Sequence, residues 1–278
     1  MMAAGTRRCL VFAGTSLMML FLLTACGFSN LQETGKGQAV ASQPKLRVAA
    51  AADLVSAFRE IAADFEHDTG IPVELIFGST GTAAMQIENG APYDVFAAAD
   101  VSFVEGLKNK GLTLPDTQQL YAQGRIGIAT LPDSPLAFRD LKELAASPKV
   151  QKIAIADPAH APYGRAAQQA FQHLQVWDAV KSKLAYSANV QDALTMLKSR
   201  NVDAAIISLS LYKPGEVNFT LVDSKLHAPL NQMITVLKAS KQTDNAGKFI
   251  AYVNGPKGRA IMKKYGFLLP DEIASTAQ

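Results

Sequence analysis

Cysteine is scarce: the 278 residues hold two, Cys9 and Cys26. That excludes a disulfide scaffold and a cysteine-rich zinc module. Histidine is scarce too. The four present, His67, His160, His173 and His227, are never paired at metal-ligand spacing. No G-x-x-x-x-G-K-[ST], H-E-x-x-H or G-x-S-x-G occurs, so phosphate-loop, zinc-protease and serine-hydrolase chemistry lack their signatures. Charge of either sign is nearly balanced. The net is +3, and without Arg7 and Arg8 the chain has 25 basic against 24 acidic residues. That is no footprint for nucleic acid. A hydrophobic share of 49% with 18% charged residues excludes a disordered or fibrous chain. No apolar run is long enough to span a bilayer, which takes about 20 residues.

What is there begins with a leader. The stretch MMAAGTRRC is basic, and Leu10 to Ala25 is an apolar run of 16 residues ending at Cys26. A basic start, a short apolar run and small residues before a break read as a secretory signal over residues 1–25. Leu23-Thr24-Ala25-Cys26 resembles a bacterial lipobox, which implies that Cys26 becomes a lipidated N-terminus. Cys9 then leaves with the leader, and no thiol remains for redox chemistry. Residues 26–45 are rich in Gly, Ser and Gln. Such a composition predicts a flexible tether between membrane and folded part.

From Leu46 the pattern changes to short apolar runs alternating with amphipathic stretches. Strands are expected at 46–52, 73–77, 94–99, 125–130, 152–157, 204–208, 219–223 and 233–238. Helices are expected at 54–68, 82–89, 102–109, 138–146, 164–175, 190–200, 244–254 and 256–265. Leu54, Phe58, Ile61, Ala62 and Phe65 fall on one helical face. Helices between short continuous apolar strands predict an α/β fold with a parallel sheet covered on both faces. About 225 residues is long for one such sheet, so two lobes are expected.

Four junctions share one design, in which a strand ends, small or hydroxyl residues follow and a helix begins. They are Ala51-Ala52-Asp53-Leu54, Gly78-Ser79-Thr80-Gly81-Thr82, Ala161-Pro162-Tyr163-Gly164 and Ser187-Ala188-Asn189-Val190. Free N–H groups and the positive helix end meet at such points. That makes an anion site, and hydroxyls add neutral donors that rotate to fit. Ordinary helix caps use the same residues, so the signal lies in four junctions that could converge between lobes. Elsewhere Trp177 reads as core. Asp94 and Asp100 read as turn anchors or caps rather than an acid–base pair. His160 lies in the loop before Tyr163.

The pattern resembles the molybdate-binding proteins of bacterial molybdate ABC transporters. The matching residues are VAAAADL (48–54), GSTGTAAMQIENGAPYDVFAAAD (78–100), ADPAHAPYGRAA (156–167), SANVQDAL (187–194) and YGFLLP (265–270). The resemblance implies a two-lobed periplasmic-binding-protein fold, type II-like, with the ligand in the cleft between lobes. Lobe one would be 46–124 plus 231–270, and lobe two 125–230. It implies a tetrahedral dianion held by hydroxyls and backbone N–H groups. The matched positions are Asp53 with Ala52 beside it, Thr80 with Ser79 beside it, Tyr163 and Val190 as backbone N–H donors, and Ser208. Two depart from the family's pattern: Asp53 stands where a neutral hydroxyl is expected, and Ser208 where a phenol is.

The sequence thus predicts a lipid-anchored, extracytoplasmic receptor that captures molybdate, and tungstate too, for an ABC permease. No enzyme activity, no cofactor and no directly bound metal ion are expected, the metal being carried as its oxyanion. The partners expected are the oxyanion, the permease and the membrane, not nucleic acid, and the receptor acts as a monomer. The alternatives are a receptor for sulfate or phosphate, and an enzyme acting on a phosphorylated or sulfated substrate. An ionised Asp53 would repel a dianion by several kcal/mol. Its favoured escape is to turn back as a helix cap onto the N–H of Val55 or Ser56. The others are a protonated Asp53 that donates to the ligand, and acceptance of a proton from a protonated oxyanion, which would point to phosphate.

Overall fold

The computed structural model describes residues 44–276. The expected signal peptide, Cys26 and nearly all of the tether lie outside the described residues.

Among the described residues there are ten strands and ten α-helices. The strands are β1 (Leu46–Ala51), β2 (Val73–Gly78), β3 (Val95–Ala98), β4 (Gln119–Gly124), β5 (Ile126–Thr130), β6 (Ile153–Ala156), β7 (Leu184–Ser187), β8 (Ala204–Ser208), β9 (Asn218–Leu221) and β10 (Leu230–Val236). The helices are α1 (Val55–Thr69), α2 (Thr80–Glu88), α3 (Val101–Asn109), α4 (Leu141–Ala146), α5 (Pro162–His173), α6 (Trp177–Val180), α7 (Val190–Lys198), α8 (Thr243–Asn254), α9 (Pro256–Lys264) and α10 (Pro270–Thr276).

The strands form two five-stranded sheets, ordered β2-β1-β3-β10-β4 and β7-β6-β8-β5-β9. Central strands such as β3, β5, β6 and β8 are buried along their whole length. Continuous apolar strands of this kind belong under helices on both faces.

The sheets are mixed, which corrects the expectation of parallel sheets. Strand β1 runs parallel to β2 and β3, but β10 is antiparallel to β3 and β4. In the second sheet β6 is parallel to β7 and β8, while β5 is antiparallel to β8 and β9. The reason is the route of the chain. Strand β10 arrives from the other sheet and inserts between β3 and β4, so no crossover helix sets its direction.

The chain passes between sheets at two places. One is Arg125, the single residue between β4 and β5; the other is the stretch from β9 to β10. The Arg125 guanidinium donates twice to the carbonyl of Gly266, at 3.2 and 2.7 Å. This fixes the first crossing against the turn after α9.

Local chemistry explains the helix ends. Phe58, Ile61 and Phe65 of α1 are buried, and the helix stops at Gly70, whose φ of 70° suits a residue without Cβ. Asp100 caps α3 through the N–H of Ser102 at 2.9 Å. Asp94 accepts the N–H of Arg47 and the hydroxyl of Ser240. Trp177, expected in the core, is half-buried at the start of α6. Among the described residues no helix is long and apolar enough to cross a membrane.

Candidate functional site

Three helix starts converge on one small cavity. Thr80 is the first residue of α2, Tyr163 the second of α5 and Val190 the first of α7. These positions carry N–H groups without intrahelical partners. All three residues line the cavity, together with Ala52, Asp53 and Ser79. The cavity offers about 10 Å³ to the centre of a water-sized sphere. That is close to the least that admits one guest.

Each start is set by its local sequence. Ser79 caps α2 by accepting the N–H of Thr82 at 3.3 Å. Pro162 occupies the first turn of α5, where a missing N–H costs nothing. Asn189 caps α7 by accepting the N–H groups of Gln191 and Asp192, both at 3.0 Å. Thr80 is buried, and its Oγ1 accepts the N–H of Ala99 at 3.0 Å. Its own proton is therefore left to donate.

One backbone and one side-chain contact close the cleft between the sheets. The N–H of Gly81 donates to the carbonyl of His160 at 2.9 Å. The Ser79 hydroxyl lies 3.1 Å from Nδ1 of the same histidine. A Cβ on Gly81 would stand 2.6 Å from the His160 carbonyl oxygen, so only glycine fits there. His160 is thus an inter-sheet contact beside the cavity.

Asp53 does not cap α1, which corrects the sequence expectation. It lies in a 3-10 turn, and neither that turn nor α1 has a side-chain cap. The side chain is 0% exposed. Its Oδ2 accepts the phenol of Tyr163 at 2.9 Å and the amide of Gln232 at 2.7 Å. The same amide also donates to the Tyr163 oxygen at 3.1 Å. Oδ1 is buried without a partner, as is Oε1 of Gln232. Burial pushes the Asp53 carboxyl up to about 6, against the two hydrogen bonds, which favour its charged form. Burial, then the Asp53 charge, raises the phenols of Tyr163 and Tyr121 well above the usual tyrosine range.

Ser208 does not line the cavity. It stands behind it, with its hydroxyl 2.7 Å from that of Ser210. Ser210 in turn donates to the Asp53 carbonyl at 2.7 Å. The Ser208 hydroxyl also reaches the Tyr163 phenol. The phenol nearest Asp53 is that of Tyr163, a cavity-lining residue. Gly124 makes room for it, since a Cβ there would lie 2.0 Å from the Tyr163 oxygen.

The sequence left Gln232 and Ser210 unmarked, and gave Tyr163 only a backbone role. A lone glutamine in LNQMITV, fully buried in β10, is the one signal that could have revealed the first. None of the described residues lining the cavity is Lys, Arg or His. Among the described residues no three His, Cys, Asp or Glu gather as a metal site. The arrangement can hold a small anion by neutral donors.

Two linked α/β sheets closing on a cavity of helix N-termini define a solute receptor. Residues 46–268 match the family described as bacterial extracellular solute-binding protein, and the chain belongs to it. Within that family it is similar to molybdate-binding proteins. That of Azotobacter vinelandii is 32% identical over 231 residues, covering 82% of this chain and 91% of the relative. The solved structure of the Azotobacter vinelandii periplasmic molybdate-binding protein superposes with a TM-score of 0.76 at 28% identity, covering 81% of this chain and all of that one. A putative ABC transporter substrate-binding lipoprotein of Bacillus subtilis is 29% identical, covering 89% of this chain and 94% of the relative. The chain is a binding protein and not an enzyme, in keeping with these relatives.

Proposed function

We propose that this chain is the receptor that captures molybdate, and tungstate too, outside the cytoplasm and delivers it to an ABC permease. The observation that carries this reading is the cavity at the starts of α2, α5 and α7, with the Thr80 hydroxyl and no cationic side chain. Neutral donors suit an anion that must be released again. Thr80, Tyr163 and Val190, with Ala52 and Ser79 beside them, are the proposed anion contacts. Asp53 borders the anion, and Ser208 supports Tyr163. The similarity to molybdate-binding proteins supports the choice of anion.

We read 46–124 with 231–270 as one moving lobe and 125–230 as the other, hinged where the chain crosses between sheets. Ligand would favour the closed arrangement. We read residues 1–25 as a cleaved signal, Cys26 as the lipidated residue and the protein as a monomer. The Bacillus subtilis relative, described as a lipoprotein, supports the anchor.

Calorimetric titration with molybdate, tungstate, sulfate and phosphate tests the function. Molybdate and tungstate are expected to bind, with sulfate at least about 100-fold weaker, or about 2.7 kcal/mol. Equal affinity for sulfate, or no heat with either metal oxyanion, refutes it. A second reading, a receptor for a protonated oxyanion such as phosphate, is favoured by the Asp53 carboxylate at the cavity wall. Tight phosphate binding with inert molybdate is its signature.

A further inference from the structure

The Asp53 side chain poses a problem that hydrogen-bond counting makes specific. It lines the cavity, it is fully buried, and its Oδ1 has no partner. The second orphan in the same cluster, Gln232 Oε1, is also an acceptor. The Gln232 amide and the Tyr163 hydroxyl both spend their protons on or near Oδ2. What the cluster lacks is therefore a proton donor. A fully ionised tetrahedral oxyanion is itself all acceptor and cannot supply one. Placed beside an ionised carboxylate it would add like charge in a dry site, where repulsion is strong.

We propose that Asp53 and the captured oxyanion share one proton, held between Oδ1 and an anion oxygen, so that capture takes up one proton from solvent and release returns it. The proposal rests on the oxyanion reading above. The balance is simple: ionised Asp53, one proton and one dianion combine without any change of oxidation state.

The surroundings make Asp53 the group that must take the proton. The titratable side chains facing it are two phenols, Tyr163 from α5 and Tyr121 from β4, and burial keeps both protonated. Gln232 of β10 and Ser210, in the turn after β8, are neutral. Gly78 of β2 and Val190 of α7, which share the cavity wall, carry no charge, and Val55 opens α1 directly after the turn. His160 contacts Ser79 and pairs with Asp157 at 3.7 Å. Arg165 pairs with Asp100, also at 3.7 Å. None of these four bonds to Asp53. Burial has already brought the empty carboxyl up to about 6, and a dianion beside it raises it further. Around pH 7.5 the empty site is then mostly ionised and the filled site protonated.

The test is molybdate titration of the purified full chain at pH 7.5 in two buffers of different protonation enthalpy. The expected result is close to one proton taken up per anion, with affinity about tenfold weaker at pH 8 than at pH 7. Below pH 6 the affinity should level off. In Asp53→Asn the amide N–H replaces the shared proton, so uptake should vanish and affinity stay flat between pH 6 and 8. That comparison isolates Asp53, because proton uptake at any other group would persist in the variant. The two-buffer measurement needs no variant, so misfolding of Asp53→Asn would leave the test intact. Molybdate binding without proton uptake overturns the proposal alone. So does a pH profile equally steep in Asp53→Asn. Absence of binding by molybdate, tungstate, sulfate and phosphate alike overturns the oxyanion reading, and the shared proton with it.

Discussion

The carbonyl of His160 accepts the N–H of Gly81 at 2.9 Å, a backbone bond joining the loop after β6 to the first turn of α2 across the cleft. Side chains can rotate away from a cleft, but this contact is lost only when the two halves separate. In Gly81→Ala the new methyl would lie 2.6 Å from the oxygen it displaces. The two sheets should then sit apart, with a larger radius in small-angle scattering. Oxyanion affinity should fall by about tenfold or more, which is 1.4 kcal/mol. Unchanged affinity would show that closure does not depend on this approach.

Thr80 separates the roles of capping and ligand donation. Its hydroxyl accepts from Ala99, so Thr80→Ala strands a buried N–H. Losing a hydrogen bond to a charged group costs about 1.5–3 kcal/mol. Anion affinity should fall by roughly 10- to 150-fold in calorimetry, and Thr80→Ser should be mild. If the alanine variant loses stability but keeps its affinity, the hydroxyl serves Ala99 alone.

Stability of the empty protein should carry the mark of Asp53. An ordinary aspartate titrates near 3.9, and here burial lifts it to about 6. A raised acid contributes stability that is complete below about pH 4 and lost as pH rises through 6. The shift of about two units corresponds to about 3 kcal/mol. In urea unfolding at pH 7.5, Asp53→Asn should be the more stable protein by up to that amount. The gap should close towards pH 4. A gap that is the same at both pH values would mean that the carboxyl does not titrate in this range.

The anchor has its own test. Cys26→Ala should abolish incorporation of labelled lipid and release the protein from membrane fractions. Equal labelling of the variant removes Cys26 from the reading.

Where local pattern decides the structure, the sequence was legible. The apolar face of Phe58, Ile61 and Phe65 gave α1 to within a residue at each end. The small and hydroxyl residues at Thr80, Tyr163 and Val190 marked the helix starts that now line one cavity. Where distant segments decide, it was not. Strand β4, QLYAQG, alternates too weakly to stand out, and β7 is four residues long. The direction of β10 depends on the side from which the chain returns, which no periodicity records. Asp53 sits where a cap would be expected, yet its donors come from Tyr163 and Gln232, 110 and 179 positions away. Those partners offered more than the adjacent backbone N–H groups, and only the fold brings them near.

Strand β10 sits between β3 and β4 in the first sheet, although it follows them by more than a hundred residues. Until Leu230–Val236 has been synthesised, β3 and β4 each present an unpaired edge to solvent. The early half of the chain therefore cannot finish its own core as it is made. Completion waits for a distant segment, and closing so long a loop is intrinsically slow. A chain cut before residue 230 should remain unfolded and prone to aggregate, even though it contains every residue that lines the cavity.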